Sequence, residues 1–339
     1  MITLGIETSC DETSIAVLKN GKKVLSNIVV SSLKEHEKYG GVIPEIASRA
    51  HLETIIACLD LALKKARLKP KDIDLIAVTQ GPGLMGSLLV GLAAAKALAM
   101  SLEKPLVGVD HVIAHIYAGF LSEQELSFPC LGLVISGGHT MILRMDSPSR
   151  VKILGRTMDD AAGEAFDKVA KMLGLRYPGG PEVDRLAKGQ DSASIKFSRP
   201  FLSKDSLDFS FSGVKTAVFY KVSEIQRKKP LSLKLKKAIC SGFQEAVCDV
   251  LVEKSIRAAK KEGLRSIVVG GGVSANSRLR YKLRLAAKKE LLHVIFPDFY
   301  LCQDNAAMIA ALGAALYREG KTDTLNLSSY CDFMRQCLA

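Results

Sequence analysis

One pattern of apolar runs occurs twice in this chain and restricts the folds open to it. Residues 2–30 read as a strand ending near Glu7, a polar turn, a second strand over Ser14-Ile15-Ala16-Val17-Leu18, an Asn20-Gly21 turn and a third strand. Asn-Gly between two apolar runs is a strong hairpin signal. The order returns at Cys130–Ile135, with Ser136-Gly137-Gly138-His139 as the polar turn, Thr140–Met145 as the second strand and Val151–Leu154 as the third. Aligning Glu7-Thr8-Ser9-Cys10-Asp11-Glu12-Thr13 with Val134-Ile135-Ser136-Gly137-Gly138-His139-Thr140 places a serine after each first strand and a threonine at the start of each second. The duplication predicts an α/β protein of two hairpin-led halves facing a cleft, where ligands usually bind. The first half is expected over residues 1–107, completed by a helix after about residue 304, and the second over 108–339.

Between the repeats the spacing predicts helices over Pro44–Lys65 and Ser87–Ser101 and a strand over Leu75–Thr79. Residues 217–262 read as helical and basic, and Asp304–Arg318 as the last helix. With 339 residues, 48% hydrophobic, the chain can bury two cores. The net charge of +12, from 47 basic and 35 acidic residues, favours a polyanionic partner. The eight cysteines form no C-x-x-C pair, which argues against disulfides and a cysteine zinc site. No leader pattern precedes Ile2, and apolar stretches are broken by charge or glycine. The expectation is a cytoplasmic protein with no membrane partner.

The chemistry starts with His111 and His115, which follow an apolar run and lie four apart in a helical pattern. Such a pair shares one helix face and can share a metal ion. A zinc-protease helix would carry glutamate after the first histidine; here it is Val112, so peptide hydrolysis is disfavoured. Asp304 is either a helix cap or the carboxylate of a two-histidine, one-carboxylate site. Asp11 and Glu12 are adjacent on what reads as a strand edge, so one is expected to face inward and the other solvent. Gly270-Gly271-Gly272 joins a strand to a helix, with amides available to a nucleotide. Asn276 either caps that helix or binds the base. The turns at Ser9 and at Ser136-Gly137-Gly138 are either ordinary turns or a pair of phosphate-facing hairpins, one per half.

These stretches together resemble the tRNA N6-adenosine threonylcarbamoyltransferases, the bacterial TsaD family formerly labelled O-sialoglycoprotein endopeptidase. The resemblance runs from Gly5–Thr13 to Asp304–Ala310. Between these lie Gly41–Arg49, Gly81-Pro82-Gly83-Leu84, His111-x3-His115, Val134–Thr140, Gly163–Lys168, Tyr177–Pro181, Phe211–Thr216 and Gly270–Asn276. It implies the two-lobed fold of actin, Hsp70 and sugar kinases, with duplicated ribonuclease-H-like halves. It also implies transfer of a threonylcarbamoyl group from L-threonylcarbamoyl-AMP to N6 of adenosine 37 in tRNAs reading codons that begin with A. By position, His111, His115 and Asp304 would hold one divalent metal, iron or zinc. Val134, Ile135, Ser136, Gly137, Gly138, Asp167, Gly180, Asp184 and Asn276 would hold the adenylate, with Ser9, Gly271 and Gly272 beside it. Asp11 or Glu12 would assist deprotonation of the adenine amine.

The implied partners are tRNA, a degenerate TsaB-like paralogue pairing through the first-lobe helices, and a small TsaE-like P-loop ATPase. Two basic clusters are candidates for tRNA phosphates: Lys221, Arg227, Lys228, Lys229, Lys234, Lys236 and Lys237, and Arg278, Arg280, Lys282, Arg284, Lys288 and Lys289. Two departures stand out. Gln303 replaces the usual threonine beside Asp304, and the ending Cys331–Cys337 lacks the usual basic, proline-containing tail. A kinase of the same fold would need only magnesium held by carboxylates and phosphate, which leaves the histidine pair without a purpose. A pseudo-enzyme partner would have lost the three ligands, and this chain keeps them.

Overall fold

The structure is a computed structural model and describes residues 1–121, 127–201 and 205–331. The chain divides into two compact units, Met1–Leu126 with Ser147–Arg150 and Pro297–Ala339, and Ser127–Asp146 with Val151–Phe296. The first unit thus extends beyond residue 107 and includes the histidine helix.

Unit 1 begins with β1 (Ile2–Glu7), β2 (Glu12–Lys19) and β3 (Lys23–Ser31), followed by α1 (Leu33–Glu37) and α2 (Pro44–Ala66). β4 (Leu75–Gly81), α3 (Met85–Leu102), β5 (Leu106–Asp110) and α4 (His111–Phe120) come next. The sheet order is β3-β2-β1-β4-β5, antiparallel across β1, β2 and β3 and parallel from β1 to β4 to β5. Leu4, Ile6, Ile15 and Val17 pack against Ile55 and Cys58 of α2 and Leu92 and Ala95 of α3 to make one core. α3 is long and apolar enough to match a membrane span by length and composition, although Gly86, Gly91 and Lys96 interrupt it as expected. Its Leu92, Ala95 and Ala99 lie in that core.

Unit 2 repeats the plan. It holds β6 (Cys130–Ile135), β7 (Thr140–Met145), β8 (Val151–Arg156), α5 (Ala162–Met172), α6 (Gly179–Ala187), α7 (Ser212–Gln226) and α8 (Leu233–Lys261). β9 (Ser266–Gly270), α9 (Ser277–Lys289) and β10 (His293–Ile295) complete it. Its sheet order is β10-β9-β6-β7-β8, the same arrangement strand for strand. The duplicated ribonuclease-H-like halves expected from the sequence are therefore present. The seven-residue alignment across the two turns is off by one at each end. Glu7 pairs with Ser14 across residues 8–13, whereas Ile135 pairs with Thr140 across the shorter 136–139.

The chain then returns to unit 1 as α10 (Ala306–Arg318). A side chain at Gly5 would collide with the Ala306 carbonyl and Ala310, and one at Gly313 with Ala77. Small residues on both sides let α10 lie directly on the sheet. The Ala306 amide donates to Ser14 Oγ at 2.8 Å, which fixes the start of the helix over the β1–β2 edge.

Candidate metal centre

α4 begins at His111 because Asp110 caps it, its carboxylate accepting from the Ile113 amide at 2.8 Å. The last helix is capped by Asn305, which accepts from Met308, so Asp304 is one residue outside the helix and not its cap. His111, His115 and Asp304 converge, with one donor atom from each lying within 4.8 Å of the others. His115 Nε2 is 3.3 Å and His111 Nε2 3.6 Å from Asp304 Oδ1. Three donors about 2.1 Å from one tetrahedral ion stand about 3.4 Å apart, so the spacing fits.

His115 is 1% exposed, and neither ring nitrogen makes a hydrogen bond. Its Nε2 is close to Asp304 yet not aligned with it for a hydrogen bond. A buried imidazole left unbonded is costly, and a shared cation at this point would satisfy it. The donor set therefore fits a resident divalent metal, and neutral histidine with carboxylate suits iron or zinc.

Behind the group is a residue that sequence reasoning passed over. Glu7, at the end of β1, is fully buried and its Oε2 lies 2.9 Å from His111 Nδ1. The same oxygen accepts from Thr79 at 2.7 Å, and Oε1 accepts from the Ser9 amide at 2.5 Å. Burial works against its charge, but His111 holds its carboxyl below the usual range. His111 is opposed by burial too, yet Glu7 and then Asp304 push its ring up to about 9. A carboxylate on Nδ1 leaves Nε2 directed at the shared position, the arrangement that orients metal-bound histidines. The signal in the sequence was a lone acid ending an apolar strand, and Glu7 was noticed only as part of a motif.

The turn that follows is gripped along its backbone. Leu84 N donates to Ser9 O at 2.8 Å, His51 Nε2 lies 3.0 Å from Cys10 O, and Ser32 Oγ donates to Asp11 O at 2.9 Å. His51 Nδ1 is 2.7 Å from Thr13 Oγ1, and His36 Nε2 is 3.1 Å from Ser32 Oγ. Burial keeps His51 neutral, lowering its pKa. Asp11 stands ahead of β2, not within it, so the expected strand alternation does not govern it. Burial, then Asp304 and Asp11, push the half-buried Glu12 up to about 10. Ser9 Oγ lies 3.2 Å from His111 Nδ1, so Ser9 is part of the histidine's surroundings. Gln303 is exposed, and residues 332–337 of the atypical ending lie outside the described residues.

The remaining candidates gather in unit 2. Gly271 has φ +89, and a Cβ there would stand 2.5 Å from Ile135 O, so the ends of β6 and β9 touch through backbone. Gly137, Gly138, Gly180 and Gly272 have open space where a side chain would be. Val134 and Ile135 are fully buried, leaving backbone as what they can present. Asp167 Oδ1 accepts from Gly179 N at 2.7 Å, and burial raises its pKa. Asp184 accepts from Ser277 N at 3.2 Å and Ser277 Oγ at 2.9 Å. Asn276 caps α9, accepting from Leu279 N at 3.0 Å, while its amide donates to Gln244 Oε1 at 2.9 Å.

Residues 23–311 match the family described as TsaD, tRNA N6-adenosine threonylcarbamoyltransferase. The chain belongs to this family. A relative named tRNA N6-adenosine threonylcarbamoyltransferase from Syntrophotalea carbinolica is 50% identical over 97% of this chain and 95% of its own length. One of the same name from Symbiobacterium thermophilum is 49% identical over 97% of this chain and 95% of its own. Among solved structures, HypF of T. kodakarensis covers 94% of this chain and 48% of its own with a TM-score of 0.63 at 16% identity, a likeness of fold. The duplicated halves and this likeness establish the actin, Hsp70 and sugar-kinase class of fold for this TsaD-family chain.

Proposed function

We propose that this protein, a transferase of the TsaD family, moves the threonylcarbamoyl group of L-threonylcarbamoyl-adenylate to N6 of adenosine 37. The substrates are tRNAs that read codons beginning with A, the second product is AMP, and the setting is the cytoplasm. The observation that carries the reading is the unbonded, buried His115 beside His111 and Asp304, backed by Glu7. The adenine amine attacks the carbamoyl carbon, a C–N bond forms, the C–O bond to phosphate breaks, AMP leaves with the electron pair, and the amine loses a proton. Of the two acids expected there, Asp11 accepts that proton, because Glu12, pushed up to about 10, already carries one at neutral pH; the clasped backbone of the turn keeps Asp11 in place. Bound by His111, His115 and Asp304, a divalent iron or zinc ion supplies Lewis-acid stabilisation of charge on oxygen. Glu7 fixes the His111 tautomer for that role. The open backbone at Gly137, Gly138, Gly180 and Gly272, with Asp167, Asp184 and Asn276 around it, holds the AMP portion. Adenosine 37 lies in an unpaired loop, where a base can be turned out into a pocket.

Two protein partners belong to the proposal, a degenerate TsaB-like paralogue and a small TsaE-like P-loop ATPase. Exposed Leu52 and Ile56 on α2, with Met85 and Leu89 on α3, support a docking face for the first. The test supplies purified protein, both partners, L-threonylcarbamoyl-adenylate and unmodified tRNA, and reads the nucleosides by mass spectrometry. Threonylcarbamoylated adenosine at position 37, absent with His111→Ala, is the expected result. No product from folded, metal-loaded protein with active partners overturns the reading.

A further inference from the structure

The two basic clusters look alike in sequence and differ in the structure. On α9, Arg278 and Lys282 are spent on α8. Arg278 pairs with Glu245 at 2.6 Å, and Lys282 pairs with Glu245 at 2.5 Å and with Asp249. Arg280 is 8% exposed, donates to the Ser274 carbonyl at 2.7 Å and lies 4.9 Å over the Phe296 ring, with Arg284 at 5.1 Å from the same ring. These four hold unit 2 together.

The corner between α7 and α8 is the opposite case. Residues 215–237 hold one acid, Glu224, among Lys215, Lys221, Arg227, Lys228, Lys229, Lys234, Lys236 and Lys237. Glu224 pairs with Lys221 and Lys228, and Lys215 pairs with Asp160. Arg227, Lys229, Lys234, Lys236 and Lys237 form no ion pair among the described residues. Local helix electrostatics explain only some of them. Cations suit the end of α7, but Lys234, Lys236 and Lys237 crowd the first turns of α8, where the dipole is already positive. α7 itself carries two exposed aromatics, Phe219 at 50% and Tyr220 at 68%, with ring centroids 5.7 Å apart. Tyr220 stands opposite the buried Val214, Val218 and Val222 that anchor the helix, and Phe219 flanks them. Unpaired cations beside exposed rings are what single-stranded or looped RNA takes: phosphate on the cations, unstacked bases on the rings.

We propose that the α7–α8 corner is the RNA-holding surface of unit 2, with Arg227, Lys229 and Lys234 on phosphates and Phe219 and Tyr220 stacking unpaired bases. This rests on the tRNA reading above. The test measures binding of the full chain to an unmodified anticodon stem-loop RNA across a salt series, without any transfer step. Replacing Arg227, Lys229 and Lys234 together by Ala reduces the slope of log K against log salt by about 2. Phe219→Ala and Tyr220→Ala each weaken binding about tenfold with little change in slope. Lys288→Ala with Lys289→Ala, a loss of exposed charge elsewhere in unit 2, leaves both nearly unchanged. Melting curves verify that each variant is folded. Parent-like binding by the corner variants, or an equal loss in the Lys288/Lys289 control, overturns this inference alone. No RNA binding by the parent chain overturns the tRNA reading itself.

Discussion

The β1–β2 turn and the β6–β7 turn occupy equivalent places in two sheets of the same order, yet one is filled and the other is open. The first has a buried acid beneath it and its carbonyls held by Leu84, His51 and Ser32. The second is shorter, and Gly137 and Gly138 leave bare backbone with space around it. Duplication supplies the frame twice, and side-chain loading of the turn divides the chemistry. The crowded turn holds charges at fixed points, and the open turn leaves its backbone bare, which is why the proposed function assigns it the ligand.

The largest effect that sharpens this contrast belongs to the acid under the first turn. Glu7→Gln keeps the shape but removes the charge that orients His111, and metal affinity falls about 10- to 100-fold. Metal analysis after dialysis measures it, and Ser136→Ala in the second turn leaves metal content at the parent level. Glycines give the next contrast. Gly271→Ala forces a Cβ toward Ile135 O at φ +89 and destabilises by about 2 kcal/mol. Gly137→Ala has room and stays within about 0.5 kcal/mol in urea unfolding, while its affinity for AMP drops. Equal stability loss in both would break the distinction between a packing glycine and a ligand-facing one.

A smaller effect concerns the grip on the first turn. In His51→Gln the side-chain amide can still donate to Cys10 O, whereas His51→Asn reaches only Thr13. Turnover in the Asn variant falls about tenfold with metal content unchanged, and the Gln variant retains most of it. Identical rates in the two would show that the Cys10 contact does not matter.

The smallest effect lies in unit 2, away from both turns. Glu245 loses some stability to burial, but Arg278 and Lys282 hold its carboxyl down to about 2. A carboxyl lowered on folding stabilises fully above its unfolded value near 4.5, and that contribution disappears as pH falls through about 2. Glu245→Gln therefore melts lower than the parent at neutral pH by on the order of 1 kcal/mol after screening. The gap closes between pH 4.5 and 2. A gap that persists at pH 2 would assign the loss to packing.

Much of the fold was legible because periodicity and turn chemistry are local. The duplicated strands, the Asn20-Gly21 turn and the histidine spacing all rest on neighbours in sequence. For Asp304 the residues alone left cap and metal ligand open and the resemblance chose the ligand, since nothing local separates the two; the structure puts Asn305 in the cap. Glu7 was missed because its partners His111 and Thr79 are distant in sequence. The α9 cluster read as a phosphate surface because its acids, Glu245 and Asp249, lie on another helix. The domain boundary depended on where α4 packs, and it packs with α10 in unit 1.

The central proposal is that His111, His115 and Asp304, oriented by Glu7, hold a metal ion and that tRNA modification requires it. Its most direct test measures metal per chain and threonylcarbamoylation of adenosine 37 on the same preparations of parent, Asp304→Ala and Glu7→Gln. The account predicts about one metal per parent chain, and metal and product falling together in Glu7→Gln and nearly vanishing in Asp304→Ala. Full product from a folded Asp304→Ala chain shown to be metal-free would contradict it.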